Sequence, residues 1–176
     1  MFRNSLAVRT AMMSALLLLA GCSKEIDFSV PATLTVNSTG GTPYSVVQQV
    51  ALADDAPDAW SHKDKVKDLS LVEVEGTIVA IISSATGNTG GGTVWLRTDA
   101  PTTPATPDVA LGTYTNQPIV LGQSLTITLT SGALDIINNA LQGNGRFKVV
   151  ATGSTAQNAN FQVGFTLHMK LNYKII

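Results

Sequence analysis

The 176-residue chain carries 11 Lys and Arg against 12 Asp and Glu, a formal net charge of −1, and only 13% of its residues are charged, where soluble domains average about 25%. No basic patch of the kind that draws nucleic acid can be assembled from this set, and two histidines with one cysteine leave too little for a structural zinc site. Once the N-terminal segment is set apart, the length suits one domain with a real hydrophobic core.

In chain order, the first twenty-two residues divide into three parts. Arg3 and Arg9 are positive with no acid near them, Ala11 to Ala20 (AMMSALLLLA) is apolar except for Ser14, and Ala20-Gly21 are small residues before Cys22. That is the layout of a secretory signal. The apolar run is about half the ~20 residues a bilayer-spanning helix needs, which argues against a permanent transmembrane helix.

Leu19-Ala20-Gly21-Cys22 resembles the lipobox of bacterial lipoproteins. The resemblance covers only this N-terminal stretch. It implies cleavage between Gly21 and Cys22, a diacylglycerol on the Cys22 thiol, and acylation of the new amino terminus. Two or three acyl chains hold a protein far more firmly than one, at about 0.8 kcal/mol per buried methylene. Residues 1–21 would then be a lipoprotein signal peptide and 22–176 a single domain with no free thiol. Ser23, where many Gram-negative lipoproteins retained in the inner membrane carry aspartate, resembles an outer-membrane address. Lys24-Glu25-Ile26-Asp27 resembles charged surface-export tags.

Beyond the cysteine, Ile26, Phe28, Val30, Ala32, Leu34 and Val36 alternate with mostly polar partners, which predicts a half-buried strand. Pro31 inside it points to a sheet edge or a bulge. Asn37 to Pro43 reads as a turn and Tyr44 to Ala53 as a second strand. Asp54 to Asp68 breaks the pattern, with acids in front and lysines behind, as a helix dipole prefers. Pro57 suits a first helical turn, and Trp60 and Val66 are the expected packing contacts.

A long strand is expected next, with Val72, Val74, Gly76, Ile78, Ala80 and Ile82 on one face. Val79 and Ile81 on the other suggest that its latter half is covered on both sides. Ser83 to Gly92 reads as a flexible Gly-rich connection and Thr93 to Asp99 as a strand. The three prolines in Ala100 to Asp108 exclude a central strand there. Short strands are expected at Val109 to Leu111 and Ile119 to Leu121, and a clearer one at Leu125 to Leu129 (LTITL). Ser131 to Gly143 takes helical spacing, with Ser131 as candidate N-cap and Gly143 as candidate C′ residue. This helix is expected against one end or edge of the sheets. Phe147, Val149 and Ala151 mark another strand. Phe161 to Ile175 alternates without a break, and its length suggests a bend or bulge near Gly164.

About seven to eight strands with no βαβ rhythm indicate an all-β antiparallel sandwich with one or two short helices. In pattern alone the chain resembles uncharacterised bacterial envelope lipoproteins, and loosely immunoglobulin-like or LEA-type sandwiches.

Chemistry-bearing residues are sparse. His62 and His168 read as surface residues, and no G-x-S-x-G elbow exists. Glu73 and Glu75 read as a solvated strand face rather than a glycosidase pair. Asp54, Asp55 and Asp58 cluster and are weak calcium candidates without the EF-hand spacing; otherwise they serve as acids at a helix N-terminus. Gly87 to Gly92 (GNTGGG) lacks the Lys-Ser/Thr of a phosphate loop. Trp95, Tyr114 and Tyr44, if exposed, could form an aromatic platform for a sugar or a partner. The expected function is therefore that of a non-enzymatic lipoprotein on the bacterial envelope, in a structural, adaptor or binding role. It would need no cofactor beyond the covalent lipid, and its partners would be the membrane, through its acyl chains, and an envelope protein. The alternative is a cell-surface carbohydrate- or calcium-dependent binding domain.

Overall fold

The computed structural model describes residues 22–99, 108–129 and 133–175. The expected signal segment 1–21, most of the proline-rich stretch and the candidate cap Ser131 lie outside the described residues.

Among the described residues, nine strands form two antiparallel sheets. In the first, β1 (Ser23–Ser38), β9 (Ala159–Lys174), β3 (Val66–Ser84) and β6 (Ser124–Leu125) lie in the order β1-β9-β3-β6. In the second, β2 (Tyr44–Ala51), β8 (Arg146–Thr155), β4 (Thr89–Thr98), β5 (Val109–Pro118) and β7 (Thr128–Leu129) lie in the order β2-β8-β4-β5-β7. The expected antiparallel sandwich is present. The core lies between the sheets and includes Leu34, Ile78, Leu96, Leu111, Phe147, Phe165, Leu167 and Leu171. Burying each such side chain contributes about 1.5–3 kcal/mol before entropy is counted.

β1 and β9 pair in unbroken register from Ser23↔Lys174 to Ser38↔Ala159. The alternation read in both strands is the alternation observed, and Pro31 sits on an edge strand, where its missing N–H costs the sheet nothing. No bulge occurs at Gly164 along this pair. The irregularity falls in β3, whose register against β9 shifts between Val66 and Asp68, Leu71 and Glu73, Ile78 and Ala80, and Ile81 and Ser83. Each shift inserts one extra residue and reverses the facing of the side chains beyond it. The single-face reading of Val72 to Ile82 therefore fails. Val72, Val79 and Ile82 are the residues inserted at three of these shifts, and all three are exposed, Ile82 at 63%. Ile81 is also exposed, so the latter half of this strand is not covered on both sides.

Three other readings are corrected. Gly90, Gly91 and Gly92 lie inside β4, not in a flexible loop. LTITL is two strands, because Leu125 pairs with β3 in the first sheet while Thr128 and Leu129 pair with β5 in the second. Ile119 to Leu121 is a connection rather than a strand, and β5 extends on to Pro118.

The sandwich has two unlike ends. At one, which we call the tip, the short connections Thr39–Pro43, Ala85–Asn88 and Ala156–Asn158 each cross between the sheets. The Gly40 N–H of the first donates to Asn158 Oδ1 of the third at 2.9 Å, and the second is tied to the third by Asn88, 2% exposed. Its Nδ2 donates to the carbonyl oxygen of Gln157 at 3.1 Å, and its Oδ1 accepts from the Gln157 N–H at 3.0 Å. The base holds the helical segments. These are α1 (Leu52–Asp55), α2 (Pro57–Ser61), a 3₁₀ turn (Lys63–Lys65) and α3 (Ala133–Gln142). Pro57 opens α2 as expected, and α3 closes the base by packing on β3 of one sheet and β4, β5 and β8 of the other. The left-handed residue after α3 is Gly145, not Gly143. A Cβ at Gly145 would lie 2.8 Å from the ring of Trp60, which packs directly over it.

Candidate functional site

Cys22 is exposed at the base and precedes β1 with no linker. Its carbonyl oxygen accepts from the Ile175 N–H at 2.8 Å, so this position and the end of the described chain are neighbours.

The outer face of the first sheet carries a polar cluster at mid-height. Register places Ser29 and Glu73 on either side of His168. Ser29 Oγ and His168 Nδ1 share a 3.0 Å hydrogen bond, and His168 Nε2 faces Glu75 Oε2 at 3.3 Å. The ring is about one-third exposed, while Nε2 itself is shielded from water without a well-aligned hydrogen bond. Lys170 Nζ meets Glu25 at 3.0 Å and Asp27 at 3.6 Å, and these acids hold its ammonium above the ordinary lysine range. A shallow depression of about 360 Å³ runs over Asp27, Ser29, Glu73 and His168.

This serine–histidine–glutamate contact has the composition of a hydrolase relay and lies on the face of a sheet. Acyl transfer needs donors, from the main chain or from side chains, aimed at the developing oxyanion. The N–H groups of a sheet lie in its plane along the ladder rather than on its face. The contact could have been found in the sequence only by knowing that Ser29 is a register partner of His168 and that Glu75 stands two residues beyond its other partner, Glu73.

The other residues singled out are dispersed. His62 Nδ1 bonds the carbonyl oxygen of Asp58 at 2.8 Å, and its ring packs against Tyr173. Asp55 accepts the Ala51 N–H at 2.8 Å, so it serves the start of α1. Asp54, Asp55 and Asp58 do not form a ligand set, and no three metal-ligating side chains converge among the described residues.

Tyr44 and Tyr114 are buried, so the aromatic platform expected of them is overturned. Register explains why. Tyr44, Gly153, Gly92 and Tyr114 form one row across the second sheet, and the two phenols reach over the glycines to share a hydroxyl–hydroxyl hydrogen bond. Burial pushes both phenols above the ordinary tyrosine range. A Cβ at Gly92 would stand 2.1 Å from the Thr152 carbonyl oxygen, so glycine is required there. Trp95 is half-buried, and its indole N–H donates to Thr152 Oγ1 at 2.9 Å. It pairs with Val150 in register, and the exposed Val47 pairs with Val150 from the other side.

The clearest surface feature is a division of charge. Residues 28–53, 76–96, 109–134 and 149–167 contain no Lys, Arg, Asp or Glu. Parts of these stretches also reach the base, at Val50 to Ala53, Val109 and the start of α3, but among the described residues every charged side chain falls at mid-height or toward the base. On the uncharged half, Val79, Ile81, Ile82, Val120 and Leu121 are exposed, Leu121 at 64%. Two bonds set the 119–123 connection alongside β3: the Ile78 N–H donates to the Gln123 carbonyl at 3.0 Å, and the Gly122 N–H donates to the Ile78 carbonyl at 2.8 Å. Alternation along the sequence hides this patch, because it assigns Val79, Ile81 and Ile82 to covered faces.

No family model matches the chain, and no curated protein does. Among solved structures, it is similar to turnip yellow mosaic virus at 14% identity and a TM-score of 0.36, covering 87% of this chain and 97% of that one. The decameric BFDV capsid protein is 13% identical with a TM-score of 0.38, covering 85% and 99%. A crystal structure of FLHE is 10% identical with a TM-score of 0.28, covering 86% and 98%. All three are remote in sequence and superpose loosely.

Proposed function

We propose that the chain is a lipid-anchored module of the bacterial envelope, held at a bilayer through acyl chains on Cys22 and acting as a structural, adaptor or binding protein without catalysis. The observation that carries this reading is the placement of Cys22. It is exposed, outside the core, and joined directly to a strand at the charged base. An anchor there leaves the uncharged tip directed away from the bilayer, where another envelope component can meet it. The in-plane direction of the main-chain donors around the Ser29–His168 contact supports a non-catalytic role. The outer-membrane address rests on Ser23 alone.

Metabolic labelling of native cells with radioactive palmitate tests the reading. Wild type is expected to carry label and to sediment with membranes, and Cys22→Ser to lose the label. An unlabelled wild-type protein in the soluble fraction would sink it.

A further inference from the structure

We infer that the open edge of β3 at Glu73, Val74 and Glu75 takes an extended segment of a partner protein as an added strand, and that this segment reads cation–apolar–cation. β3 is paired with β9 along its length, but on its other side β6 covers only Gly76 and Thr77. A groove of about 600 Å³ opens there, between Val72 to Thr77 and the Ser124 to Ile127 stretch that leaves for the second sheet. Main-chain direction shows what the groove offers. Ile78 bonds Gln123 and Gly122 through its N–H and carbonyl, away from β9. Register against β9 is unbroken from Glu73 to Ile78, and main-chain groups turn to the same side at every second residue. The N–H and carbonyl of Gly76 and of Val74 therefore point the same way. Leu125 stands opposite Gly76, whereas among the described residues no strand stands opposite Val74. A strand continuing the line of β6 would exchange two hydrogen bonds with Val74, which is how a sheet edge binds a peptide. The other edge of this sheet differs, because β1 carries Pro31, a device that keeps an edge from pairing.

Facing and charge select the segment. Val74 is buried, while Glu73 and Glu75 are exposed on the outer face. The residue opposite Val74 would point inward over Leu125 and Ile127, so an apolar side chain suits it. Its two neighbours would stand beside Glu75 and Glu73. Opposite charges across a strand pair are favourable there and like charges are not. Among the described residues Glu73 meets no cation and Glu75 meets only His168. A second copy pairing antiparallel about Val74 would set these acids against their own counterparts. The partner is therefore a different chain, with Lys or Arg at i and i+2. The site rests on the binding role proposed above but not on lipidation, and it is compatible with an anchor, since Cys22 precedes β1 at the far edge of the sheet.

Amide NMR on residues 22–176 carrying Cys22→Ser, titrated to ~1 mM with acetylated, amidated peptides Ser-Thr-Lys-X-Lys-Thr-Ser in which X is Val, Ile or Leu, tests it. At least one peptide is expected to shift the amides around Val74 and slow their exchange. Its binding should weaken at least ~10-fold in the Glu73→Lys, Glu75→Lys double variant, whereas Asp27→Lys, on the β1 edge, should bind it like the parent. Peptide variants separate strand addition from charge without altering the protein. N-methylation at X removes the donor to the Val74 carbonyl and should abolish binding, while N-methylation of the lysine before X, whose N–H points away from β3, should leave it. The inference is overturned if none of the three peptides shifts these amides, or if binding survives either the double charge reversal or N-methylation at X. Shifts around Val74 that follow protein concentration without peptide would overturn it in favour of a second copy. None of these outcomes touches the lipid anchor, which palmitate labelling reads separately.

Discussion

Tyr44 and Tyr114 show how single residues set local energetics. Each hydroxyl has the other as its partner in a buried setting. Removing one leaves the other unsatisfied at a cost of about 1–3 kcal/mol, whereas removing both is close to neutral. Urea denaturation is therefore expected to show Tyr44→Phe and Tyr114→Phe each destabilising, and the double variant recovering most of the loss. The same burial gives a pH dependence. A phenol whose folded pKa is raised contributes stability that is intact below its unfolded value near 10.0 and is lost as pH rises through the folded value. The urea midpoint should fall above pH 10, and less steeply in the double phenylalanine variant. Gly92→Ala is expected to cost more than ~3 kcal/mol in the same assay, because the obstructing atom is a backbone carbonyl. No pattern in GNTGGG announces this. Glycines that let strands close and glycines that loosen a loop look alike until their cross-strand partners are known.

Among the elements, β1 and β9 are readable from sequence because they keep one register over their whole length. β3 is not, because its four shifts reverse the facing of the side chains several times within nineteen residues. Alternation carries no information about where a bulge falls, and an exposed valine at a bulge reads like a buried one. Stability distinguishes the two classes. Ile78→Ala is expected to cost about 2–5 kcal/mol and Ile82→Ala to stay within ~0.5 kcal/mol, although the two isoleucines lie only four residues apart in one strand. A urea titration of the two variants checks the contrast. LTITL misleads for a related reason. Its residues are good strand formers throughout, and only tertiary pairing decides that the chain leaves one sheet and joins the other between Leu125 and Thr128.

At the scale of the whole molecule, the fold class is legible in alternation and turn residues, whereas the division into a charged base and an uncharged tip is not. Its four uncharged stretches are visible in the sequence, but only the fold shows that each passes through an inter-sheet connection at the same end, the fourth being 119–123. Asn88 joins two of these connections, 85–88 and 156–158. Asn88→Ala is expected to lower stability by about 1–3 kcal/mol by leaving buried main-chain groups unpaired. Hydrogen exchange should then show faster opening at Gln157 and the neighbouring turns than at β9.

The adjacency of Cys22 and Ile175 also bears on how the protein can be handled. If Cys22 carries the proposed lipid, a reporter or affinity tag joined at the end of the described chain would sit beside it, pressed between the domain and the surface that holds it. Its failure to bind antibody in intact cells would then say nothing about which side of a membrane the domain occupies. An epitope inserted at Gly41, an exposed turn position where an added side-chain carbon would meet no atom within 4 Å, stands at the opposite end and would report orientation directly.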